Sequence, residues 1–564
     1  MDKDGELDRI KAAQESWARE KADEFKQERK ADFVSLTGIP IKRVYTPLDL
    51  EEKGFDYLKD VGFPGSFPYT RGISSTGYRG KLPGIVQYSG HPTPEQSNAL
   101  WKANIAAGAT GPYIAFDLPT QLGYDPDDPM AEGEVGRVGV SLASLRDWEV
   151  AFDGIDTGNV SVAMVANANA ATAIASFLAI AERQGTPIGK LRGFCQNDIL
   201  KEYIARGAYI FPPKPSIRLV IDILSYSSKH LPEYRPITVI GGHYTGRGAT
   251  PVQEAAYTLA MCFEYLAHAV QMGIDVDAIA PVMMFTHGWG HQNFFEEIAK
   301  ARAFRKIYAK TMRDQFKAQK PESLWAECNV GASGLYLSKQ QYLNNIVRGA
   351  YTALGMMLAG VQGLDTRAYD EGYGIPTQEA TLTAIRTRQI AIHEMGLCDT
   401  VDPLAGSYYV EWLTSEIEQR ILRELDVIAR QGGVIACIDN GYFQRAMSAE
   451  AYKWQKAFER GDAVQVGVNS FTSETEERPM RIQRTDPKIE KERVAAVKEL
   501  RRTRDNKKVA SSIERLQKMA SMPGTVENNL MPAFVEAVKS YATVGEIHKA
   551  LREVWGEYTE AKFL

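Results

Sequence analysis

The sequence predicts an α/β protein built on a (β/α)8 barrel, with a helical arm before it and a mostly helical extension after it. Three observations predict this fold. A short apolar or β-branched run, a polar loop and a helical stretch recur in that order eight times between about residue 84 and residue 365. No Gly-rich turn follows the first run, as a doubly wound dinucleotide-binding sheet would carry. After Asp402 the alternation stops and long helical patterns take over.

In chain order, the N-terminal stretch MDKDGELDRIKAAQESWAREKADEFKQERK reads as a charged helical arm over residues 1–40, with no apolar segment of a signal peptide. The barrel is expected over 41–405. Its runs end at PGIVQY (Tyr88), PYIAFD (Asp117), VSVAMVANAN (Asn169), LRGFCQND (Asp198), PITVIGGH (His243), APVMMFTH (His287), LWAECNV (Val330) and AGVQGLD (Asp365). Between them, HPTPEQSNALWKANIAAG offers Thr93 as a helix cap, and TPVQEAAYTLAMCFEYLAHAV and NFFEEIAKARAFRKIYAKTM have helical apolar spacing. In the extension, 406–564, a long helix ends in glycines and VQVGVNSF (464–471) reads as a strand. KIEKERVAAVKELRRTRDNKK reads as a helix with a solvated charged face, and the tail reads as a helical pair.

Chemistry on such barrels sits at the C-terminal ends of the strands. Tyr88, Asp117, Gln196, Asn197, His243, His287, Glu327, Asn329 and Asp365 fall at or just beyond those ends, so they are expected to converge on one mouth. The small residues of VSVAMVANANAATA and NVGASG leave two readings open. They line a passage along the barrel axis, or they face the surrounding helices.

Bulk properties exclude several function classes. The chain has 564 residues, 44% of them apolar, and a net charge of −5 with both signs interspersed, which offers no polyanion-binding or membrane-surface face. No apolar run approaches the roughly 18 residues of a membrane span, so a cytoplasmic protein is expected. The five cysteines, Cys195, Cys262, Cys328, Cys398 and Cys437, lack CxxC spacing and read as reduced thiols, neither a zinc site nor a disulfide framework.

Local motifs narrow the field. In GGHYTGRGAT (Gly241 to Thr250) the GxG continues Ala-Thr-Pro, which fits neither the dinucleotide nor the P-loop pattern, so His243 is the candidate there rather than a phosphate cradle. His287 and His291 in HGWGHQN have i, i+4 spacing, but two glycines oppose the helix a metal site needs, and no metal is expected. Arg206, in CQNDILKEYIARGAYIFPPKPSIR, is placed to clamp a carboxylate or phosphate with its planar fork.

These residues also carry a resemblance. QNDILKEYIARGAYIFPP, FDLPTQLGYDPDDP, RGISSTGYRG, VQYSGH, NFFEEIAKARAFRK, YDEGYGIPT and DPLAGSYYVE resemble the large, substrate-binding chain of the adenosylcobalamin-dependent methylmalonyl-CoA mutase group, over roughly residues 35 to 560. The resemblance implies a barrel threaded by the pantetheine of coenzyme A and a radical 1,2-rearrangement of an acyl-CoA carbon skeleton. It begins with Co–C homolysis of adenosylcobalamin, the cofactor carrying the hard step while the protein positions the substrate and excludes water. None of the eight histidines lies in the DxHxxG pattern that ligates cobalt. The implied partner is therefore a separate small cobalamin-binding subunit docked at the mouth in a heterodimer or heterotetramer, with the charged arm available to wrap it.

By position, the resemblance implies roles for individual residues. Tyr88 lies between substrate and corrin, Arg206 pairs with a free substrate carboxylate, and His243 hydrogen-bonds the thioester carbonyl. Gln196, after Cys195, lies beside the substrate, and Glu371 contacts the adenosyl ribose. Ala115 and Tyr88 argue against the mutase for hydroxylated branched acyl groups, which carries aspartate and a small aliphatic residue there. Gly242 replaces a tyrosine, Gly207 an asparagine, Glu327 and Asn329 a histidine and a glutamine, and Tyr113 a serine. Gln121 matches isobutyryl-CoA mutases. The expected substrate is a methylmalonyl- or succinyl-type thioester or a bulkier one. A monocarboxylic branched acyl-CoA and a non-catalytic CoA-binding subunit stand as alternatives, the former opposed by the buried guanidinium it would leave without a carboxylate.

Overall fold

A computed structural model describes residues 3–35, 37–289, 293–473 and 486–560. Ten short strands occur among the described residues: β1 (Gly84–Ile85), β2 (Tyr88–Ser89), β3 (Tyr113–Ile114), β4 (Ser161–Met164), β5 (Arg192–Cys195), β6 (Tyr234–Arg235), β7 (Ile237–Ile240), β8 (Met283–Trp289), β9 (Cys328–Ala332) and β10 (Gly363–Asp365). They pair in parallel as β2-β3-β4-β5-β6 and β1-β10-β9-β8-β7. The two sheets share two chain runs. β1 and β2 are halves of the run ending at Tyr88, and β6 and β7 are halves of one run interrupted at Pro236, which has no N–H to give the ladder. Joined through these runs, eight segments follow one another around a (β/α)8 barrel in chain order.

At the seam between β1 and β10, Arg388 from the helix Gln378–His393 is fully buried. It donates to the carbonyls of Val86 and Leu364 and to the side chain of Gln87. Where the ladder is only two residues long, this guanidinium supplies the missing donors.

The expected helices form for the expected reasons. Thr93 caps Pro94–Ala106, Thr250 and Gln253 make a capping box on Pro251–Gln271, and Phe294–Asp314 runs beside it. The helix Tyr408–Arg430 packs across both of the latter. In the arm, Lys3–Glu20 is solvated, and its end is fastened by the Arg43 guanidinium 3.7 Å over the Phe25 ring.

Two expectations for the extension are corrected. VQVGVNSF is a tight loop with a single bridge, Val466 to Ser470, rather than a strand. Gly467 takes φ +83°, and Asn469 accepts from the Gln465 amide and donates to the Ala463 carbonyl, so a side chain closes the turn. The charged helix Pro487–Thr503 is docked, not merely solvated. Arg493 is buried against Asp147, and Arg501 forks between Asp125 (2.6 Å) and Asp127 (2.7 Å).

Inside the barrel, register aligns Tyr88, Tyr113, Ala163 and Phe194 across β2 to β5. With Val86, Val165 and Met284 they form an apolar cluster separate from the main core. Tyr113 packs edge-on between Tyr88 (5.1 Å) and Phe194 (5.2 Å), so aromatic bulk fills this layer. Ala166, Ala168, Ala170, Ala171 and Ala173 belong instead to the core under the helices, which is the helix-facing reading of that segment. Gly331 and Gly363 lie on the inward rows with Asn329 and Asp365.

Candidate active site

The turn carrying His243 is built by glycine contacts. β7 ends at Ile240, and Gly242–Thr245 forms one helical turn. A Cβ on Gly241 would collide with the Glu254 carboxylate, one on Gly242 would meet Gly288 Cα at 3.3 Å, and one on Gly288 would meet Gly242 Cα at 2.7 Å. Two glycine backbones therefore touch where β7 and β8 end, and a tyrosine at 242 would have to leave across Gly288. Glu254 fixes the β8 side of this contact by accepting the Gly288 N–H (3.1 Å), a ring nitrogen contact from His287 (3.3 Å) and the Lys300 ammonium. His243 Nδ1 is buried without a hydrogen-bond partner among the described residues. Burial, seconded by Lys201, Arg206 and Arg367, holds this imidazole well below the usual histidine range, so it is neutral at pH 7.

Beside it lies a polar hub. Lys201 is fully buried, and its Nζ donates to Asn167 Oδ1 (3.0 Å), Gln196 Oε1 (3.3 Å) and Glu202 Oε1. Asn167 Nδ2 donates to the same Gln196 oxygen at 3.1 Å. Arg206 Nη1 reaches Glu202 Oε1 at 3.4 Å, and Nη2 donates to Gln121 Oε1 at 2.5 Å. Gln121 is itself held by its amide on the Phe116 carbonyl (2.7 Å). Gly207 has φ +86° and open space around its missing Cβ. Glycine and asparagine both tolerate such a conformation, so this departure from the pattern is explained by backbone rather than by pocket shape.

A second polar group follows β10. Arg367 donates to the Ala332 carbonyl (2.9 Å) and Asp365 (3.1 Å), lies 3.6 Å from Glu371, and places its guanidinium 5.9 Å from the Tyr88 ring centre. Burial raises the pKa of Glu371 and Asp365, against the pull of Arg367. The Tyr88 hydroxyl is likewise pushed up by burial and drawn down by Arg206 and Arg367, which ties both groups to one mouth. Ala115 follows β3, its carbonyl accepting from Val140 (2.8 Å), between Gly90 and Gly139.

Tyr88, Gln196, Arg206, His243, Asp365 and Glu371 thus gather at the strand ends, but other expected members do not. His287 points outward into the Glu254–Lys300 cluster, against Phe304 and 3.6 Å from Cys328 Sγ. Asp117 caps the turn Leu118–Gln121 and accepts the Gly136 N–H (2.8 Å). Glu327 precedes β9 and pairs with Arg235 (2.8 Å), at the opposite end of the strands. Cys195 belongs to the core under the helices, Asn197 is buried, and Asn329 lies over Gly363 on β9. His291 lies outside the described residues. Among those residues no cluster of three or more His, Cys, Asp or Glu could hold a metal ion.

Sequence reasoning missed Lys201, Glu202, Asn167 and Arg367. A Lys-Glu pair inside the apolar run DILKEYIA is the signal that could have found the first two, since charges in a buried turn must be paired.

The methylmalonyl-CoA mutase family profile matches residues 34–557. The chain is 39% identical to the 2-hydroxyisobutanoyl-CoA mutase large subunit of Aquincola tertiaricarbonis over 533 residues, covering 94% of both chains. It is 39% identical to the methylmalonyl-CoA mutase of Rhizobium meliloti (strain 1021) over 522 residues, 93% of this chain and 72% of that one, and 37% identical to that of Escherichia coli (strain K12), covering 92% and 72%. Enzymes of this family are coenzyme B12-dependent isomerases that rearrange CoA thioesters. The chain belongs to the methylmalonyl-CoA mutase family.

Proposed function

We propose that this chain is the substrate-binding large subunit of an acyl-CoA mutase whose preferred substrate is a dicarboxylic thioester, methylmalonyl- or succinyl-like or bulkier, and that a separate small subunit ligates the cobalt. The observation that carries the substrate class is the ion pairing at Arg206. Two cations, Lys201 and Arg206, share the one carboxylate of Glu202 as their direct partner, which leaves part of the Arg206 fork for a substrate carboxylate. Asp198 adds its charge to the field at Lys201, but its oxygens accept from Tyr265 and the Ile240 amide and give Arg206 no partner.

In this reading His243, whose Nδ1 is buried without a partner among the described residues, donates to the thioester carbonyl, Gln196 offers an amide beside it, and Tyr88 walls the substrate from the corrin. Glu371, near Arg367, meets the nucleoside of the cofactor. Adenosylcobalamin, when bound, supplies the radical that starts the rearrangement. The chain's own contribution is to bind, orient and keep water out. Residues 41–405 would carry the chemistry, 406–564 would brace it, and the arm, 1–40, would contact the small subunit. The separate small subunit is supported by the 94% two-way match to a relative named a large subunit.

One observation favours a monocarboxylic branched acyl-CoA instead: the neutral amide of Gln121 already occupies one edge of Arg206. Reconstitution with adenosylcobalamin and a small subunit bearing DxHxxG, followed by mass spectrometry of mono- and dicarboxylic acyl-CoAs, separates the two. Arg206→Ala is expected to abolish dicarboxylic turnover selectively. Equal loss for both classes would refute the carboxylate role.

A further inference from the structure

We infer that Lys201, Glu202 and Asn167 form a positioning unit that fixes which end of the Gln196 amide faces the substrate and couples that amide to Arg206. The inference rests on the acyl-CoA mutase reading above and adds to it residues that set the reacting geometry from behind.

The hydrogen-bond inventory of the hub closes in one way. An ammonium has three donors and no acceptor. Lys201 spends all three on acceptors: Asn167 Oδ1, Gln196 Oε1 and Glu202 Oε1. Asn167 accepts from Lys201 with its oxygen, so its amide nitrogen faces Gln196 Oε1 and donates there at 3.1 Å. Gln196 Oε1 therefore has both lone pairs filled. Its NH2 group is turned away from the hub, with no partner among the described residues. Reversing the Gln196 amide would set an NH2 against an ammonium and against another NH2, which nothing there could satisfy. Gln196 thus reaches the mouth as a donor.

The backbone reinforces this orientation. Asn167 sits at φ +43°, a conformation asparagine tolerates better than most residues, and its N–H donates to the Gln196 carbonyl at 2.7 Å. Main chain and side chain of Asn167 both grip the same residue. On the other side Glu202 Oε2 accepts the Ala208 N–H (2.9 Å), which fixes the carboxylate so that Oε1 can serve Lys201 and Arg206 together. Moving Lys201 would release Gln196 and unbalance Arg206 at once.

The test uses the full chain reconstituted with its small subunit and adenosylcobalamin, with methylmalonyl-CoA or whichever acyl-CoA wild type turns over. Asn167→Asp keeps the shape and the acceptor for Lys201 but sets a carboxylate oxygen against Gln196 Oε1 in place of a donor, so it opposes the observed amide orientation without opening a cavity. It is expected to lower kcat by about 10–100-fold, the order of cost for a misplaced reacting geometry, with KM for the CoA thioester changed less than about threefold. Gln196→Ala is expected to do the same, and the double variant to be no slower than Gln196→Ala alone. Lys201→Met should follow Asn167→Asp, and should it fail to fold, Asn167→Asp decides alone. Wild-type kcat in Asn167→Asp, or losses that multiply in the double variant, would overturn the positioning role while leaving the mutase reading intact. Wild type inactive on every acyl-CoA would overturn both.

Discussion

Two fully buried lysines make a useful contrast. Lys300, outside β8, is bracketed by two carboxylates, Glu254 and Glu297, and by the Gly288 carbonyl (2.9 Å). Burial works against its charge, but the two glutamates outweigh it and raise its pKa. Lys201 has one carboxylate and two amides as direct partners, and burial leaves its pKa below the ordinary lysine value. The first cluster pairs its charges internally and holds the Gly242–Gly288 contact in place. The second leaves an amide NH2 and part of a guanidinium turned to the mouth. The same residue types give a closed strut or an open site according to how many carboxylates pair directly with the cation.

The contrast can be broken most sharply at Lys300. Lys300→Met strands two buried carboxylates and is expected to cost about 3–5 kcal/mol in denaturant unfolding. Lys201→Met leaves Glu202 still paired with Arg206 and should cost less stability but more activity. Equal stability losses would remove the distinction between the clusters.

Gly288→Ala tests what the strut supports. Its Cβ would meet Gly242 Cα at 2.7 Å, so the turn bearing His243 must shift, for about 1–3 kcal/mol and a larger proportional loss of kcat. Unchanged kinetics would mean that the glycine contact does not set the histidine.

The smallest expected effect is on pH. His287 is held below its ordinary pKa chiefly by burial, against the pull of Glu254, and His243 is held further below. In the unfolded chain both take up protons as pH falls through about 6.5. In the folded chain they do so only at lower pH, so their contribution to stability is full above 6.5 and declines as pH falls toward their folded values. His287→Gln should flatten the acid side of a plot of unfolding free energy against pH. An unchanged slope would place the proton uptake elsewhere.

Much of the fold was legible because the alternation of apolar run and capped helix is local information. The eight runs ending between Tyr88 and Asp365 all appear, and Thr93 and Thr250 cap as their sequences suggest. The side of the wall a residue faces was less legible. His287 and Asp117 lie near strand ends, yet strand register and a cap turn them away from the mouth. Glu327 lies at the wrong end of β9 by one strand length. Lys201 was invisible as a site residue because a lysine is ordinarily solvated, and only three converging acceptors make its burial tolerable. VQVGVNSF had strand propensity, but the Asn469 side chain offered a local alternative that won.

The most direct test of the proposed substrate class is competition. Equimolar methylmalonyl-CoA and isobutyryl-CoA are supplied to the enzyme reconstituted with adenosylcobalamin and a small subunit bearing DxHxxG, and the products are resolved by mass spectrometry. The sharing of Glu202 by Lys201 and Arg206 predicts that the dicarboxylic thioester is rearranged in preference, and that Arg206→Ala erases the preference. Preferential rearrangement of isobutyryl-CoA by the wild-type chain would contradict it.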